Sequence, residues 1–148
     1  MKYNGPPLPV VEEDIDNGHW LFPVQMGATQ YEGFIYVMYH RGLNLLYLGM
    51  KTYRSSSGKT SGWRTYTSSS ETVLKAMKET SHDQWDFICI EQYKTKGGLS
   101  YAETWSLCFV DAPLKKHWLN RRIEKIEWKS QETRSIRHIN RLTAYRGL

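Results

Sequence analysis

The chain has 148 residues, of which 40% are apolar and 14% aromatic, and its formal net charge is +5. This length suits one domain with a substantial core, and the aromatic content excludes an intrinsically disordered chain. No apolar run approaches the roughly 20 residues of a membrane-spanning helix, and the first residues lack the apolar core of a signal peptide.

The charge is unevenly distributed along the chain. Residues 1–32 contain one basic and five acidic side chains, whereas residues 115–148 contain ten basic and three acidic ones. A basic C-terminal third favours a polyanionic partner, most simply nucleic acid. A merely solvated basic face explains the same composition, so both interpretations stand at this point.

The two cysteines bear on the compartment. Cys89 and Cys108 each lie inside an apolar run, where a free cysteine behaves as a small core residue. A reducing compartment follows from the absence of a disulfide pattern, so we expect an intracellular, cytoplasmic protein.

The first 32 residues form an extension before the first strong strand signal. Residues 4–9, Asn-Gly-Pro-Pro-Leu-Pro, are expected to be extended, because proline neither donates to a ladder nor enters a helix interior. The apolar stretch from His19 to Met26 predicts an added edge strand, a position that tolerates Pro23.

Two short apolar runs on either side of Arg41-Gly42 predict a β-hairpin. Both runs, 34–39 and 45–48, are rich in β-branched, aromatic or aliphatic residues. We expect a two-residue turn at Arg41-Gly42, in which glycine supplies a positive φ. That register places Tyr36 opposite Tyr47, so two phenols are predicted side by side on one sheet face. A hairpin with two ordinary core tyrosines is the alternative.

The rest of the chain predicts loops, helices and one further strand. A polar loop at 51–62 offers backbone N–H groups, hydroxyls and cations that suit contact with phosphate. Ser69 or Ser70 is expected to cap a helix that runs to about Glu79. The later expected elements are a strand at 85–92, a turn at 94–98, a helix at 100–110, a helix or a helix plus a strand at 116–128, and a terminal helix at 133–145.

A family resemblance starts from the hairpin. Phe34-Ile35-Tyr36 followed by Tyr47-Leu48-Gly49 resembles the paired signature of the GIY-YIG endonucleases, with Phe34 in place of the first glycine and Leu48 in place of the second isoleucine. Residues after the hairpin resemble one branch of this family, the phage-encoded, freestanding members that are similar to homing endonucleases. Those residues are the Trp63–Tyr66 stretch, the Ser68–Ser70 run and Phe87–Ile90 followed by a helix that bears Glu103.

The resemblance implies a fold and a domain organisation. The fold is α+β, a small three-stranded antiparallel sheet flanked by helices in the order β-β-α-β-α. The expected boundaries are an N-terminal extension over residues 1–32, a nuclease domain over 33–128 and a basic, helical C-terminal tail over 129–148.

The resemblance also implies a metal-dependent DNA endonuclease. It assigns a catalytic Mg²⁺, or Mn²⁺, to Glu103, and one carboxylate plus waters is an ordinary Mg²⁺ site. Tyr36 becomes the general base towards water, Tyr47 positions the water or the phosphate, and Asn120 assists the site. An unperturbed tyrosine has a pKa of ~10, so such a base needs positive charge nearby.

The resemblance further implies an arginine that stabilises charge on the phosphate. The 51–62 loop breaks the usual spacing, so Arg54 and Arg64 both qualify. Arg64 is preferred because it adjoins the Trp63–Tyr66 stretch and the start of the predicted helix. Lys51, Arg54 and Arg64 are also the cations that would lower the pKa of Tyr36.

Double-stranded DNA is the implied partner, and a homodimer or a partner protein is compatible with one site per chain. On the terminal helix, three arginines and His138 share one face, while Ile136, Ile139 and Leu142 share another. The predicted DNA contacts are Lys51, Arg121, Arg122, Arg134, Arg137 and Arg141.

The residues that the resemblance assigns to catalysis also have simpler structural explanations. Ser100-Tyr-Ala-Glu103 matches a capping box, in which the glutamate bonds back to the start of its own helix. Asn120 is equally explained as a surface or helix-end asparagine. A catalytically inactive GIY-YIG fold that only binds nucleic acid or a protein is therefore the alternative function.

Overall fold

The sheet has four strands and is mixed. The computed structural model describes residues 3, 5–121, 123 and 132–148. Its strands are β1 (Trp20–Leu21), β2 (Gly33–His40), β3 (Leu45–Thr52) and β4 (Trp85–Tyr93), and its α-helices are α1 (Glu71–Glu79), α2 (Lys96–Phe109) and α3 (Ile136–Thr143). The strand order is β1-β4-β2-β3. No helix of the described residues is long and apolar enough to cross a membrane.

The α+β class is confirmed, but the expected three-stranded antiparallel sheet is wrong. Strand β2 pairs antiparallel with β3 and with β4, as expected. The fourth strand, β1, adds to β4 in parallel, with Trp20 beside Phe87. The predicted edge strand at 19–26 therefore exists but is only two residues long, because a bend with Pro23 follows it at once.

The hairpin register differs from the predicted one by two residues. Tyr36 pairs with Gly49, and Tyr47 pairs with Met38. The connection is a four-residue turn over 41–44, and Asn44, not Gly42, adopts the positive φ, at 53°. Asparagine tolerates the left-handed region, so the longer turn has a residue suited to it. A shift of two residues preserves the face, and both phenols still project from the same side.

Helix α2 begins before the predicted position. Its N-cap is Thr95, whose side chain accepts a hydrogen bond from the Gly98 amide at 2.9 Å. The predicted turn at 94–98 and helix start at Ser100 are therefore wrong. Ser100 and Glu103 lie inside the helix, so the capping-box explanation of Glu103 does not hold.

Each face of the sheet carries its own core. One, here called the helical face, packs Val37, Leu48 and Ile90 against Leu99 and Leu107 of α2. The other, here called the aromatic face, buries Trp20, Phe34, Tyr36, Tyr53, Trp63 and Phe87 together with Phe22 and Met26. Cys89 is buried on this face as predicted, whereas Cys108 is exposed and is not a core residue.

Strand β3 is the edge of the sheet, and residues 117–120 run along it. Leu46 forms a parallel bridge with Trp118, and the Leu119 amide donates to the Leu46 carbonyl at 2.7 Å. Covering an edge in this way satisfies its unpaired main-chain groups. Residues 116–121 are not helical, so that part of the predicted 116–128 helix is wrong; residues 122 and 124–128 lie outside the described residues.

Helix α3 forms where a terminal helix was predicted, but it buries a different stripe. His138 and Leu142 are fully buried with Tyr145, whereas 75% of Ile136 is exposed. Arg137 and Ser135 both bind the buried Glu91 carboxylate of β4, at 3.0 and 2.7 Å. The predicted apolar stripe is therefore correct at Leu142 but wrong at Ile136, because His138, predicted to lie on the arginine face, is buried instead.

His138 is held neutral by a complete set of partners. The Tyr93 hydroxyl lies 2.8 Å from Nδ1, and Nε2 lies 2.6 Å from the Ser106 hydroxyl, which donates onward to the Ala102 carbonyl. Because that hydroxyl has given its hydrogen away, Nε2–H donates to it and Nδ1 accepts from Tyr93. Burial, followed by the charges of Arg141 and Arg134, lowers the His138 pKa to about 3.

The buried histidine predicts a loss of stability in acid. Its pKa falls from 6.5 in the unfolded chain to about 3 in the folded one, so the unfolded chain binds more protons between these values. The free energy of unfolding should then fall as pH drops from 6.5 towards 3, by up to about 1.4 kcal/mol per pH unit. Urea unfolding of wild type and His138→Gln at several pH values measures this slope. In the variant, the dependence of the unfolding free energy on pH should be smaller by the contribution of about one proton. An unchanged dependence would refute the assignment of this effect to His138.

Candidate active site

Three phenols gather on the aromatic face. The Tyr36 ring centroid lies 6.3 Å from that of Tyr47 and 6.3 Å from that of Tyr66, which it meets edge-on at 87°. Tyr36 comes from β2 and Tyr47 from β3, diagonal to each other across the hairpin. Tyr66 comes from the segment between β3 and α1. Three stretches of sequence thus converge on one polar cluster.

Gly49 makes room for this cluster. It lies directly opposite Tyr36, and a Cβ on it would come within 2.6 Å of the Tyr36 hydroxyl oxygen and 2.7 Å of its Cζ. The same Cβ would lie 3.0 Å from Cε1 of Tyr47. The glycine is therefore required by the space that the Tyr36 ring occupies, and not by an unusual backbone angle.

Tyr36 acts as a hydrogen-bond donor. Only 1% of it is exposed, and its hydroxyl donates to the Thr67 carbonyl at 2.8 Å. Burial raises its pKa well above 10, and the nearby Tyr47, Tyr66 and Glu103 raise it further. A phenol in this setting keeps its proton at neutral pH. The predicted role of Tyr36 as general base would require the loss of this proton, whereas its bond to Thr67 suits a residue that positions the 66–68 segment.

Tyr47 is the more accessible phenol of the hairpin. It is half-buried, and burial raises its pKa, with Glu103 adding to the rise. The Ser68 hydroxyl interacts with both Tyr36 and Tyr47 and opposes the rise in each pKa. Ser68 is itself buried and accepts a hydrogen bond from the Ser70 amide at 2.9 Å. Ser68 therefore connects the hydroxyls of the two hairpin phenols, of which Tyr47 is the more exposed.

Glu103 lies close to the phenols although it comes from α2. It is partly exposed, and its negative charge raises the pKa of both Tyr36 and Tyr47. Among the described residues, no group of three or more His, Cys, Asp or Glu side chains could hold a metal ion. One partly exposed carboxylate fits Mg²⁺, which keeps most of its waters, better than it fits Zn²⁺.

Lys51 brings positive charge to the cluster. Its Nζ lies 4.1 Å from the centroid of the Tyr66 ring. In β3, side chains alternate between faces, so Lys51 shares a face with Tyr47 and Gly49. From the sequence, Lys51 was predicted only to contact DNA and to be one of three cations that could lower the pKa of Tyr36.

The two candidate arginines are engaged elsewhere. Arg54 donates to the carbonyls of Tyr31 and Thr29, at 2.6 and 3.4 Å. Arg64 lies over the Trp63 ring and binds Asp16, with Nε 3.1 Å from the carbonyl and 3.4 Å from the carboxylate. No hydrogen bond, ion pair or ring contact of the described residues joins either guanidinium to the phenols.

Asn120 holds the main chain beside Tyr47. Its Oδ1 accepts from the Leu48 amide at 2.9 Å, and its Nδ2 donates to the Leu48 carbonyl at 2.8 Å. Only 7% of Asn120 is exposed. The Asn120 side-chain amide thus makes the two hydrogen bonds with Leu48 that a neighbouring strand would otherwise make. Leu48 lies between Tyr47 and Gly49 on the edge strand.

Replacing Asn120 should therefore destabilise the fold at this edge. We expect Asn120→Ala to lower the free energy of unfolding by about 2–3 kcal/mol, because it leaves a buried amide and carbonyl unpaired. Asn140→Ala, at an exposed position on α3, is the matched control and should change it by less than about 0.5 kcal/mol. Equal urea midpoints for the two variants would show that the Leu48 contacts contribute nothing.

The predicted DNA contacts in the C-terminal third are partly used for folding. Arg141 donates to the Ile90 carbonyl at 2.5 Å, next to a register shift between β2 and β4, and Arg137 binds Glu91. Arg134 stacks over Trp105 at 4.5 Å. Arg121 donates to the carbonyls of Lys116, Trp118 and Asn120, and Arg122 lies outside the described residues.

Tyr66 and Ser68 belong to the phenol cluster, although neither was predicted as a site residue. Both belong to stretches that carried the family resemblance, the Trp63–Tyr66 stretch and the Ser68–Ser70 run, but neither received a role. In the sequence, these residues are part of a run of hydroxyl side chains just before a helix N-cap. Many ordinary loops have the same composition, so the run did not indicate a site.

A protein-family model matches the part of the chain that contains these residues. The family model described as "Putative endonuclease segE, GIY-YIG domain" matches residues 20–123, which is more than two thirds of the chain. The matched range begins at β1 and includes the three phenols, Lys51, Glu103 and Asn120. No curated protein and no solved structure gives a significant match.

Proposed function

The chain belongs to the GIY-YIG endonuclease family, and we propose that it is a DNA endonuclease that hydrolyses phosphodiester bonds with a Mg²⁺ ion held by Glu103. The observation that supports the proposal is electrostatic: the negative charge of Glu103, on α2, raises the pKa of both hairpin phenols. One partly exposed carboxylate near hydroxyl donors suits the binding of a hydrated divalent cation and a phosphate together.

The reaction consumes one water per bond. The water oxygen attacks phosphorus, one P–O ester bond breaks, and the products are a phosphomonoester and an alcohol that has taken up a proton. A bound Mg²⁺, or Mn²⁺, supplies Lewis acidity and positive charge at the phosphate. Tyr47 donates its hydroxyl hydrogen to a phosphate oxygen or orients the water, and Ser68 fixes the direction of that hydroxyl.

Tyr36 and Asn120 position the reacting groups. Tyr36 ties β2 to the Thr67 carbonyl, which holds Ser68 and Tyr66 against the hairpin. Asn120 fixes the main chain between Tyr47 and Gly49. Preorganisation of this kind matters because a misplacement of about 1 Å can cost about a hundredfold in rate.

Duplex DNA is the proposed substrate. The basic third of the chain, residues 115–148, supplies the electrostatic attraction, with Arg137 exposing 69% of its side chain despite its contact with Glu91. Binding that depends on phosphate contacts should weaken steeply as salt concentration rises.

Incubation of wild-type protein with supercoiled plasmid tests the proposal. Nicked or linear product in Mg²⁺, absent in EDTA, is the expected result. No product with Mg²⁺ or Mn²⁺ at protein concentrations that retard DNA in gels would refute it. That outcome would instead support the inactive, nucleic-acid-binding form of the fold.

A further inference from the structure

We propose that Lys51 is the catalytic cation of this site, and that it contacts the scissile phosphate in place of an arginine. The inference rests on the proposed function and names a residue that acts within it. It replaces the sequence expectation that Arg64 or Arg54 stabilises the charge on the phosphate.

The position of Lys51 on β3 supports this assignment. It follows Gly49 by two residues, so it projects from the same face as Tyr47. Its Nζ lies 4.1 Å from the centroid of the Tyr66 ring, and the Tyr66 ring lies 6.3 Å from Tyr36. The ammonium group is therefore held at the phenol cluster by an aromatic ring that belongs to the cluster.

The partners of Lys51 leave its charge available. Among the described residues, no ion pair joins Lys51 to a carboxylate. Its ring contact engages one side of an ammonium group that has three N–H donors. A partly exposed lysine held in this way can still donate to a phosphate oxygen.

The arginines do not meet the same conditions. The Arg54 guanidinium is bound to the main chain at Tyr31 and Thr29, and the Arg64 guanidinium to Asp16. Either would have to give up these contacts to reach the phenols. Lys51 needs no such rearrangement, since its ammonium group already lies against the Tyr66 ring of the phenol cluster.

The chemistry calls for a cation at this place. Attack of water on the phosphodiester places additional negative charge on the phosphoryl oxygens before the P–O bond breaks. A fixed positive charge next to those oxygens stabilises the transition state more than the ground state. Lys51 supplies that charge on the hairpin side of the site, while Glu103 belongs to the side formed by α2.

Single-turnover plasmid nicking, with protein in excess over its Kd for DNA, tests the role. Lys51→Met removes the charge and keeps the length of the side chain, and Lys51→Arg restores a charge. The comparators are Arg64→Met and Arg54→Met, and Lys78→Met, at an exposed position on α1, is the matched control. DNA affinity is measured for each variant in Ca²⁺ by fluorescence anisotropy.

The proposal predicts that Lys51→Met nicks bound DNA about a hundredfold more slowly than wild type or slower still, the effect of removing one charge-stabilising donor. Its Kd for DNA should change by less than tenfold, and Lys51→Arg should recover part of the rate. Arg64→Met and Arg54→Met should each retain at least a tenth of the wild-type rate.

Three outcomes would overturn the inference. Wild-type nicking together with Lys51→Met within threefold of it would remove the catalytic role and leave the nuclease assignment standing. A Lys51→Met variant that binds DNA poorly but cleaves bound DNA at the wild-type rate would make Lys51 a DNA contact only. A wild-type protein that does not nick DNA at all would refute the proposed function, and this inference with it.

Discussion

Glu103→Gln is expected to abolish cleavage while the fold and DNA binding remain. Glutamine has the same shape as glutamate but lacks the negative charge that holds a divalent cation. We expect the single-turnover nicking rate to fall by about a thousandfold or more, a loss of about 4 kcal/mol of transition-state stabilisation. The same variant should bind Mn²⁺ more weakly in an electron paramagnetic resonance titration. Glu103 lies inside α2, so no helix cap is lost with the charge.

The matched control for that variant is Glu79→Gln, at an exposed position on α1. It removes the same charge far along the chain from the phenols and should cleave at the wild-type rate. If Glu103→Gln nicked DNA within tenfold of wild type, Glu103 would not be the metal ligand. Circular dichroism of each variant establishes that the comparison is between folded proteins.

Gly49→Ala is expected to disturb both stability and cleavage. The added Cβ would lie 2.6 Å from the Tyr36 hydroxyl oxygen and 2.7 Å from Cζ, closer than real contacts allow. Tyr36 is buried against Trp20 and cannot swing out of the way without repacking the aromatic face. We expect a loss of about 1–3 kcal/mol in the free energy of unfolding from this overpacking. Cleavage should slow by about a hundredfold because both phenols move.

Gly147→Ala is the control for the glycine substitution, since nothing lies within 4 Å of a Cβ at that position. Urea unfolding and single-turnover nicking measure the two effects separately. A Gly49→Ala variant with wild-type stability and rate would show that the Tyr36 ring does not depend on the space over Gly49.

Strong local signals were sufficient to predict much of the fold. Ser70 occupies the N-cap position of α1 as predicted, although its side chain makes no capping hydrogen bond, and the helix ends at Glu79. The apolar run from Trp85 forms β4, because a strand covered on both faces reads as a continuous apolar segment. The hairpin strands were found for the same reason, although their register was not.

The register was missed because the turn chemistry was ambiguous. Arg41-Gly42 suggested a two-residue turn, but the Leu43 amide donates to His40 Nδ1 at 2.8 Å and lengthens the turn by two residues. His40 is buried, so this contact depends on the packing around it. The pairing of Tyr36 with Gly49, which explains the glycine, follows only from the longer turn.

The start of α2 depends on a residue distant in sequence. Lys94-Thr-Lys-Gly-Gly98 has the composition of a turn, yet Glu132 accepts from the amides of Lys94 and Thr95, at 3.0 and 2.9 Å. A carboxylate at a helix N-terminus stabilises that end, but sequence spacing does not indicate which carboxylate will reach it. Gly98 lets Glu132 approach, since a Cβ there would collide with it.

The cation that the structure places at the phenols is not the one that sequence spacing ranked first. Sequence spacing ranked Arg64 first because it adjoins Tyr66, but that arginine turns towards Asp16 in the N-terminal extension. Lys51 reaches Tyr66 from the neighbouring strand instead. Only the folded pairing of the two segments distinguishes these cations.

Anomalous diffraction from crystals of the wild-type protein grown with Mn²⁺ tests the central claim most directly, that Glu103 and the hairpin phenols form one metal-dependent site. The account predicts a manganese peak at bonding distance, about 2.2 Å, from a Glu103 carboxylate oxygen, on the side that faces Tyr47. A manganese ion bound at another carboxylate, with Glu103 unligated at saturating Mn²⁺, would contradict it.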